Sequence, residues 1–312
     1  MKPLLRRLRA AWRLRKRAVL QGTPMLTWFD DATALAEFAV RIEPLRVAAE
    51  DRIGALEHFE GYCWVCNGVR RMLVRSGAML GDRPSLREGL LCEGCGLSNR
   101  GRLMHGAILD ECRRLAVGPG ELLLLERISP LYTVLSRDVP GLIGSEYLGD
   151  ACALGAACDV RGHGKVRNES ITALRFDDVS LKVVAHSDVL EHVFDYRSAL
   201  RECHRVLVAD GSLVFTCPFF AQRHEPLMRA EVLADGRIVH HEKPEYHGDP
   251  LNAEGILAFW HHGWQLLDDL RTAGFREARL GAIYDVYAGF VSNNYPGGGY
   301  GLMLPIVIRA RK

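Results

Sequence analysis

Two tight cysteine pairs, Cys63-Trp-Val-Cys66 and Cys92-Glu-Gly-Cys95, are the residues of this chain whose spacing specifies chemistry most narrowly. Each turn presents two sulfurs to one ion, and two such turns supply the four thiolates of a tetrahedral Zn²⁺. A four-sulfur set leaves no coordination position open, so the expected ion is structural. It would tie down a segment too small to hold a core of its own. The remaining Cys112, Cys152, Cys158, Cys203 and Cys217 are scattered singly and read as small buried apolar residues. A second chemical set lies in residues 180–218, where an apolar run (183–185) ends in His186-Ser187-Asp188 and then Leu190-Glu191-His192-Val193. His192 with Glu191 beside it is a candidate proton acceptor with an orienting carboxylate, and the competing reading is a helix cap with the imidazole bonded to backbone. Farther upstream, Glu126 and Glu146 each follow an apolar run.

The elements that must position these groups follow from periodicity. Residues 183–185 form a strand, Leu200, Cys203, Val206 and Leu207 share one helical face, and Asp210-Gly211 turns the chain into a second strand at 213–215. Strand, acidic loop, helix, turn and strand make a βαβ unit of a parallel sheet, whose ligands bind at the C-terminal strand ends. Four leucines at 122–125 make a buried first strand, a helix follows at 130–135, a second strand starts at 142–144, and a short third lies at 165–167. After Gly274-Phe275 a sixth strand is expected, with a seventh at 305–308 preceded by the glycines 297–299. Residues 30–58 keep helical spacing through Ala34, Leu35, Phe38, Ala39 and Ile42, with Pro44 expected to end or kink the helix. Arg87-Glu88 fits a short strand or turn, and 98–100 open a further helix. The region 219–262 is polar, rich in histidine and fits no sheet element, which suggests a lid or substrate-binding insertion.

The string DVLEHV…AL.E..RVL..DG.LVFT.P, read at 188–218, resembles the fourth and fifth strands of class I S-adenosylmethionine (SAM) methyltransferases, especially the type-11 branch. The resemblance implies an α/β fold: a Rossmann-like, mostly parallel sheet of about seven strands, here with a small N-terminal zinc-ribbon module. It divides the chain into a basic arm and helical lead-in (1–58), the ribbon and a connecting helix (59–117), and a methyltransferase-like domain (118–312) with an insertion at about 219–262. SAM needs a backbone-lined loop for its methionine portion, an acid for its ribose and an apolar slot for adenine. Matched to the family's motif, Glu126 stands at the acid of the first loop, Glu146 at the ribose carboxylate, Ser170 and Ile171 at the adenine position, and Asp188 faces the cofactor. The chain departs from the family where Leu125-Glu126-Arg127-Ile128-Ser129-Pro130 replaces the Gly-x-Gly turn. Lys182 replaces an acid before the fourth strand, with consequences expected for the turn alone.

The enzyme reading is methyl transfer to a small-molecule or saccharide acceptor, by O-methylation if His192 is a base, with His224, Tyr246 and His247 as acceptor contacts. His240, His241, His261 and His262 lie in or beside the same insertion; a second metal site built from the insertion's histidines is one reading, although their irregular spacing carries no ligand signature, and solvated loop histidines are the other. An RNA methyltransferase is an alternative, drawing on the basic residues 1–17 and on Arg70, Arg71, Arg75, Arg100 and Arg102. A formal charge of +2 argues against nucleic acid across the whole surface. The other alternative is a non-catalytic binding or scaffold module on a methyltransferase fold that has lost SAM. With 48% hydrophobic and 25% charged residues the chain is globular. No apolar stretch nears the roughly 20 residues of a membrane span, although residues 1–20 suit a peripheral membrane contact. No signal peptide is read, and cytoplasm is the expected compartment.

Overall fold

The computed structural model describes residues 26–80, 82–292 and 302–312, so the basic arm and the glycines 297–299 lie outside it. The chain forms two compact units. Of the described residues, one comprises 26–29, 34–80, 82–106, 281–292 and 302–306, and the other comprises 30–33, 107–280 and 307–312.

In the first unit the helix Ala32–Gly54 continues through Pro44, against the expected break. Burial of Leu35 and Phe38 on one side of the proline and of Glu50 and Ile53 on the other anchors both halves. Glu50 is held internally, where both its oxygens accept from Ser292 Oγ at 2.7–2.8 Å. The strands His58–Cys63, Gly68–Leu73 and Leu91–Cys92 form an antiparallel three-stranded sheet that carries both cysteine pairs. Between them, Arg87-Glu88 sits in a one-turn helix, Leu86–Gly89, instead of a strand. Ser98 caps the helix Asn99–Arg114, its Oγ accepting from Gly101 N at 3.2 Å.

The second unit is built on an α/β, class I methyltransferase-like sheet. The strands Leu122–Leu124, Ile143–Glu146, Gly164–Asn168, Leu181–Ser187 and Leu207–Thr216 occupy the expected places, and each neighbouring pair among them is parallel. Their spatial order, 164–168, 143–146, 122–124, 181–187, 207–216, then 306–311 and 277–282, reverses direction beside the first strand. That reversal is where open α/β sheets bind ligands. The sheet exceeds the seven strands expected, because Ala157–Val160 adds one at its edge. Ala157–Val160 and Ile306–Arg311 pair antiparallel with their neighbours, so the sheet is less uniformly parallel than expected. A short hairpin arm such as ACDV, with no apolar alternation, leaves little trace in sequence.

Helix Tyr196–Val206 buries the expected Leu200, Cys203 and Val206, Pro130–Asp138 buries Leu131, Val134 and Leu135, and Gln265–Thr272 buries Leu266, Leu267 and Leu270. Ser129 caps Pro130–Asp138, accepting from Tyr132 N, with Pro130 at the position where a missing N–H costs nothing. Asp195 caps Tyr196–Val206 through Ser198 N. The insertion is not structureless. It folds as three two-stranded antiparallel ladders, Leu227–Met228 with Trp260–His261, Ala230–Val232 with Ile238–His240, and Tyr246–His247 with Ile256–Leu257. Strands of two or three residues are too short for a period to register. Two of the cysteines read as single, Cys152 and Cys158, are joined in a disulfide, and Cys158 is only half-buried. The turn between them brings together residues that six positions of sequence would otherwise keep apart. No helix among the described residues is long and apolar enough to cross a membrane.

Candidate functional site

At the C-terminal edge of the parallel strands, three of the expected acids converge. The register aligns Leu124 with Ala185 and Gly144, and Ser187 with Thr216, which sets the strand ends side by side. Glu126 Oε1 accepts from Ser187 Oγ at 2.6 Å. Glu146 Oε1 accepts from the Ile128 backbone N–H at 2.5 Å. Asp188 has a left-handed backbone (φ 51°), and its carboxylate accepts from Thr216 Oγ1 at 3.0 Å. Burial pushes the Glu146 carboxyl up to about 7, with Asp249 of the insertion adding to the rise and the Ile128 N–H and Arg127 opposing it.

The glycine-poor first loop closes by other means. No residue of 125–130 has a positive φ, so the turn needs no left-handed glycine. Arg127 N donates to Ser145 O at 3.0 Å, and the guanidinium lies over the Tyr132 ring, 4.2 Å from its centroid. Gly144 on the adjacent strand makes this possible. A Cβ there would collide with the Tyr132 ring and come within 2.6 Å of Arg127 Cδ. The permissive residue has moved from the loop to the neighbouring strand.

Expected adenine contacts are partly diverted. Ile171 is buried, and Ser170 Oγ shares a hydrogen bond with Thr172 Oγ1 at 2.9 Å. The buried Glu169 just before it accepts from Arg167 Nε and Arg175 N. Lys182 lies inside the strand Leu181–Ser187 and not before it; it donates to Ala116 O and pairs with Glu121.

A second cluster forms where the insertion meets the turn Leu190–His192. Phe259 N donates to Glu191 O at 2.7 Å, and Trp260 Nε1 donates to Phe194 O at 2.9 Å. His192 Nδ1 lies 2.9 Å from Leu257 O, which fixes it as the protonated nitrogen and leaves Nε2 with the lone pair. His192 Nε2 is 3.1 Å from His247 Nδ1. His247 Nε2 is 3.1 Å from Glu245 Oε1, and Glu245 Oε2 is met by His261 Nε2 at 3.1 Å and Arg229 Nη2 at 3.2 Å. Glu191 is completely buried, and neither of its side-chain oxygens has a hydrogen-bond partner. Its Oε1 lies 3.7 Å from His192 Nε2 and 3.6 Å from His247 Nδ1, ion-pair separations too long for hydrogen bonds. Burial raises the Glu191 carboxyl. The carboxylates of Glu191 and Glu245 push His247 up to about 9, and Glu245 is in turn held well below the usual range by His247 and His261.

His192, Glu191 and His247 are therefore brought together, while His224 and Tyr246 stand apart. His224 is exposed and pairs with Glu225, with Asp268 3.7 Å away, and Tyr246 is exposed on its ladder. Ser187, Thr216, Arg229 and Glu245 were given no role from sequence, and His261 was noted only among the histidines in or beside the insertion. Of these, Ser187 and Glu245 carried a signal, since each adjoins a motif already chosen.

In the first unit, the four cysteine sulfurs lie within 4.8 Å of one another, with Cys63–Cys95 and Cys66–Cys92 both at 3.8 Å. Four sulfurs about 2.3 Å from one tetrahedral ion would be separated by roughly 3.8 Å. The set fits a metal ion. Gly94 permits it, because a Cβ there would stand 2.9 Å from Cys66 Sγ.

Residues 144–215 match the family model described as a methyltransferase domain, of the Methyltransf_11 group. Among solved structures, an SAM-dependent methyltransferase from Mesorhizobium loti is 15% identical, with a TM-score of 0.43 over 68% of this chain and 98% of its own. A possible histamine N-methyltransferase from Thermotoga maritima is 18% identical (TM-score 0.36, 68% and 93% covered). The 1,6-didemethyltoxoflavin-N1-methyltransferase of Burkholderia thailandensis is 16% identical (TM-score 0.35, 68% and 78% covered). No curated protein matches the chain. The strand order and the matched segment give the second unit a class I methyltransferase-like fold.

Proposed function

We propose that the chain is an SAM-dependent methyltransferase acting on a small-molecule or saccharide acceptor, with a structural zinc ion in its first unit. The observation that carries this reading is the convergence of Glu126, Glu146 and Asp188 on the ends of three neighbouring parallel strands. When bound, SAM supplies a methyl group on a sulfonium, an electrophile that needs only an aligned acceptor. Glu146, the buried carboxylate beside the first loop, would exchange the Ile128 N–H for the ribose hydroxyls. Glu126, tied to Ser187, would stand at the methionine end, and Ile171 would cover one face of adenine.

Glu191, His192 and His247 form the acceptor side. An imidazole with its Nδ1–H fixed on a carbonyl presents Nε2 as a base, the tautomer needed to take a proton from an acceptor oxygen. This favours O-methylation. The insertion supplies His247 and brings the charge of Asp249 to bear on Glu146, so one segment touches both halves of the site. In the first unit, Cys63, Cys66, Cys92 and Cys95 would hold Zn²⁺ in a closed, non-catalytic set.

Isothermal titration with SAM tests the reading. Micromolar binding by the wild type, lost in Glu146→Ala, supports it. A wild type that binds no SAM would leave the non-catalytic module, a reading favoured by the bond that already occupies Glu146.

A further inference from the structure

We propose that Glu191, His192 and His247 form a second metal site, taking a divalent transition ion of the zinc class. The ligand atoms would be one carboxylate oxygen of Glu191, His192 Nε2 and His247 Nδ1. They lie on a triangle with edges of 3.1, 3.6 and 3.7 Å. Three N/O donors roughly 2.0–2.1 Å from one tetrahedral ion would stand about 3.3–3.4 Å apart.

Three further features distinguish this cluster from an ordinary hydrogen-bonded group. First, the outer nitrogen of each histidine is already anchored, His192 Nδ1 by Leu257 O and His247 Nε2 by Glu245. Anchoring by a carbonyl or carboxylate is how metal-bound imidazoles are oriented. It also directs both remaining nitrogens at each other, so that either a proton or a cation must stand between them. Second, Glu245 is itself held by Arg229 and His261, which fixes the outer support. Third, Glu191 is completely buried with no hydrogen bond to either oxygen, and a bound cation would give the carboxylate the partner it lacks.

Two imidazoles and one carboxylate suit zinc, cobalt or nickel and disfavour magnesium and calcium, which take oxygen. Three protein ligands leave at least one position open, as in catalytic and not structural sites. If the methyl-transfer reading holds, on which this one consequence rests, the cation would lower the pKa of an acceptor hydroxyl, the task otherwise given to His192 as base.

The test is cobalt substitution in the full chain without SAM, read by visible absorption and metal content. The four-cysteine cluster gives thiolate-to-cobalt charge transfer, and the proposed site gives d–d bands without it. Expected is a wild-type spectrum with both kinds of band, in which His247→Ala and Glu191→Gln each lose the thiolate-free bands and keep the charge transfer. The retained charge transfer shows that either variant is still folded around its cysteines. His247 lies on a half-buried ladder, so its removal spares the core should Glu191→Gln fail to fold. A wild type with thiolate-type bands only, or His247→Ala with the wild-type spectrum, overturns the proposal. SAM calorimetry on the same protein is independent of these bands, so failure of methyl transfer and failure of the metal site are separately visible.

Discussion

The cysteine cluster of the first unit and the glutamate–histidine cluster of the second pose the same problem in two ways. Each packs several ligand atoms within a few ångströms, the sulfurs at 3.8 Å and the N/O donors at 3.1–3.7 Å. The sulfurs come from two local turns, and strand pairing brings the turns together. Glu191 and His192 must instead meet His247, 55 residues from His192, on a ladder of an insertion. Local ligand pairs make a closed site that does little but hold the fold. A set completed by a distant loop leaves room for a ligand to enter, and its geometry depends on how that loop docks.

That contrast can be broken at its rigid end first. Cys92→Ser should lose the ion and, with it, the fold of the first unit. Structural zinc binding is worth roughly 10–16 kcal/mol in small domains. Metal content and far-UV circular dichroism would register the loss, and a wild type stable to strong chelators would show that the sulfurs do without an ion.

At the other end, Glu146→Ala should weaken SAM binding by roughly 100-fold or more, the scale of two hydrogen bonds to a charged acceptor at about 1.5–3 kcal/mol each. Calorimetry measures this, and unchanged affinity would take the ribose away from Glu146. Gly144→Ala should destabilise the second unit by about 1–3 kcal/mol through overpacking against Tyr132 and Arg127. A melting temperature equal to that of the wild type would mean the loop can move aside.

The smallest effect is in pH. The Glu146 carboxyl ionises near 7, above its ordinary value, so the folded apoprotein keeps a proton that the unfolded chain releases. Its contribution to stability therefore falls as pH rises from about 4.5 to about 7. SAM affinity should move the opposite way, since only the ionised group accepts both ribose hydroxyls. It should rise up to about tenfold per pH unit below 7 and then level off. A flat profile, or the same profile in Glu146→Ala, would assign the titration elsewhere.

How much of this was legible follows from distance along the chain. The knuckles, the βαβ unit around Glu191 and the acids after the first two strands are each set within some twenty residues, where hydrophobic period and turn chemistry act directly. The ladders of the insertion, the Cys152–Cys158 pair and the strand Ala157–Val160 are too short to show a period. The unbroken helix at Pro44 depends on burial to either side of it, which local propensity does not record.

Residue types, the order of the main strands and a cluster of four sulfurs are written in the chain. Packing in three dimensions places Gly144 against Tyr132 and Arg127 beside the glycine-poor loop and brings His247 to Glu191 and His192. Strand ends are ordered by local pairing and side-chain period. A loop's partner is chosen by the bonds it makes on arrival, here from the Phe259 backbone N–H to Glu191 O and from the His192 imidazole Nδ1–H to Leu257 O.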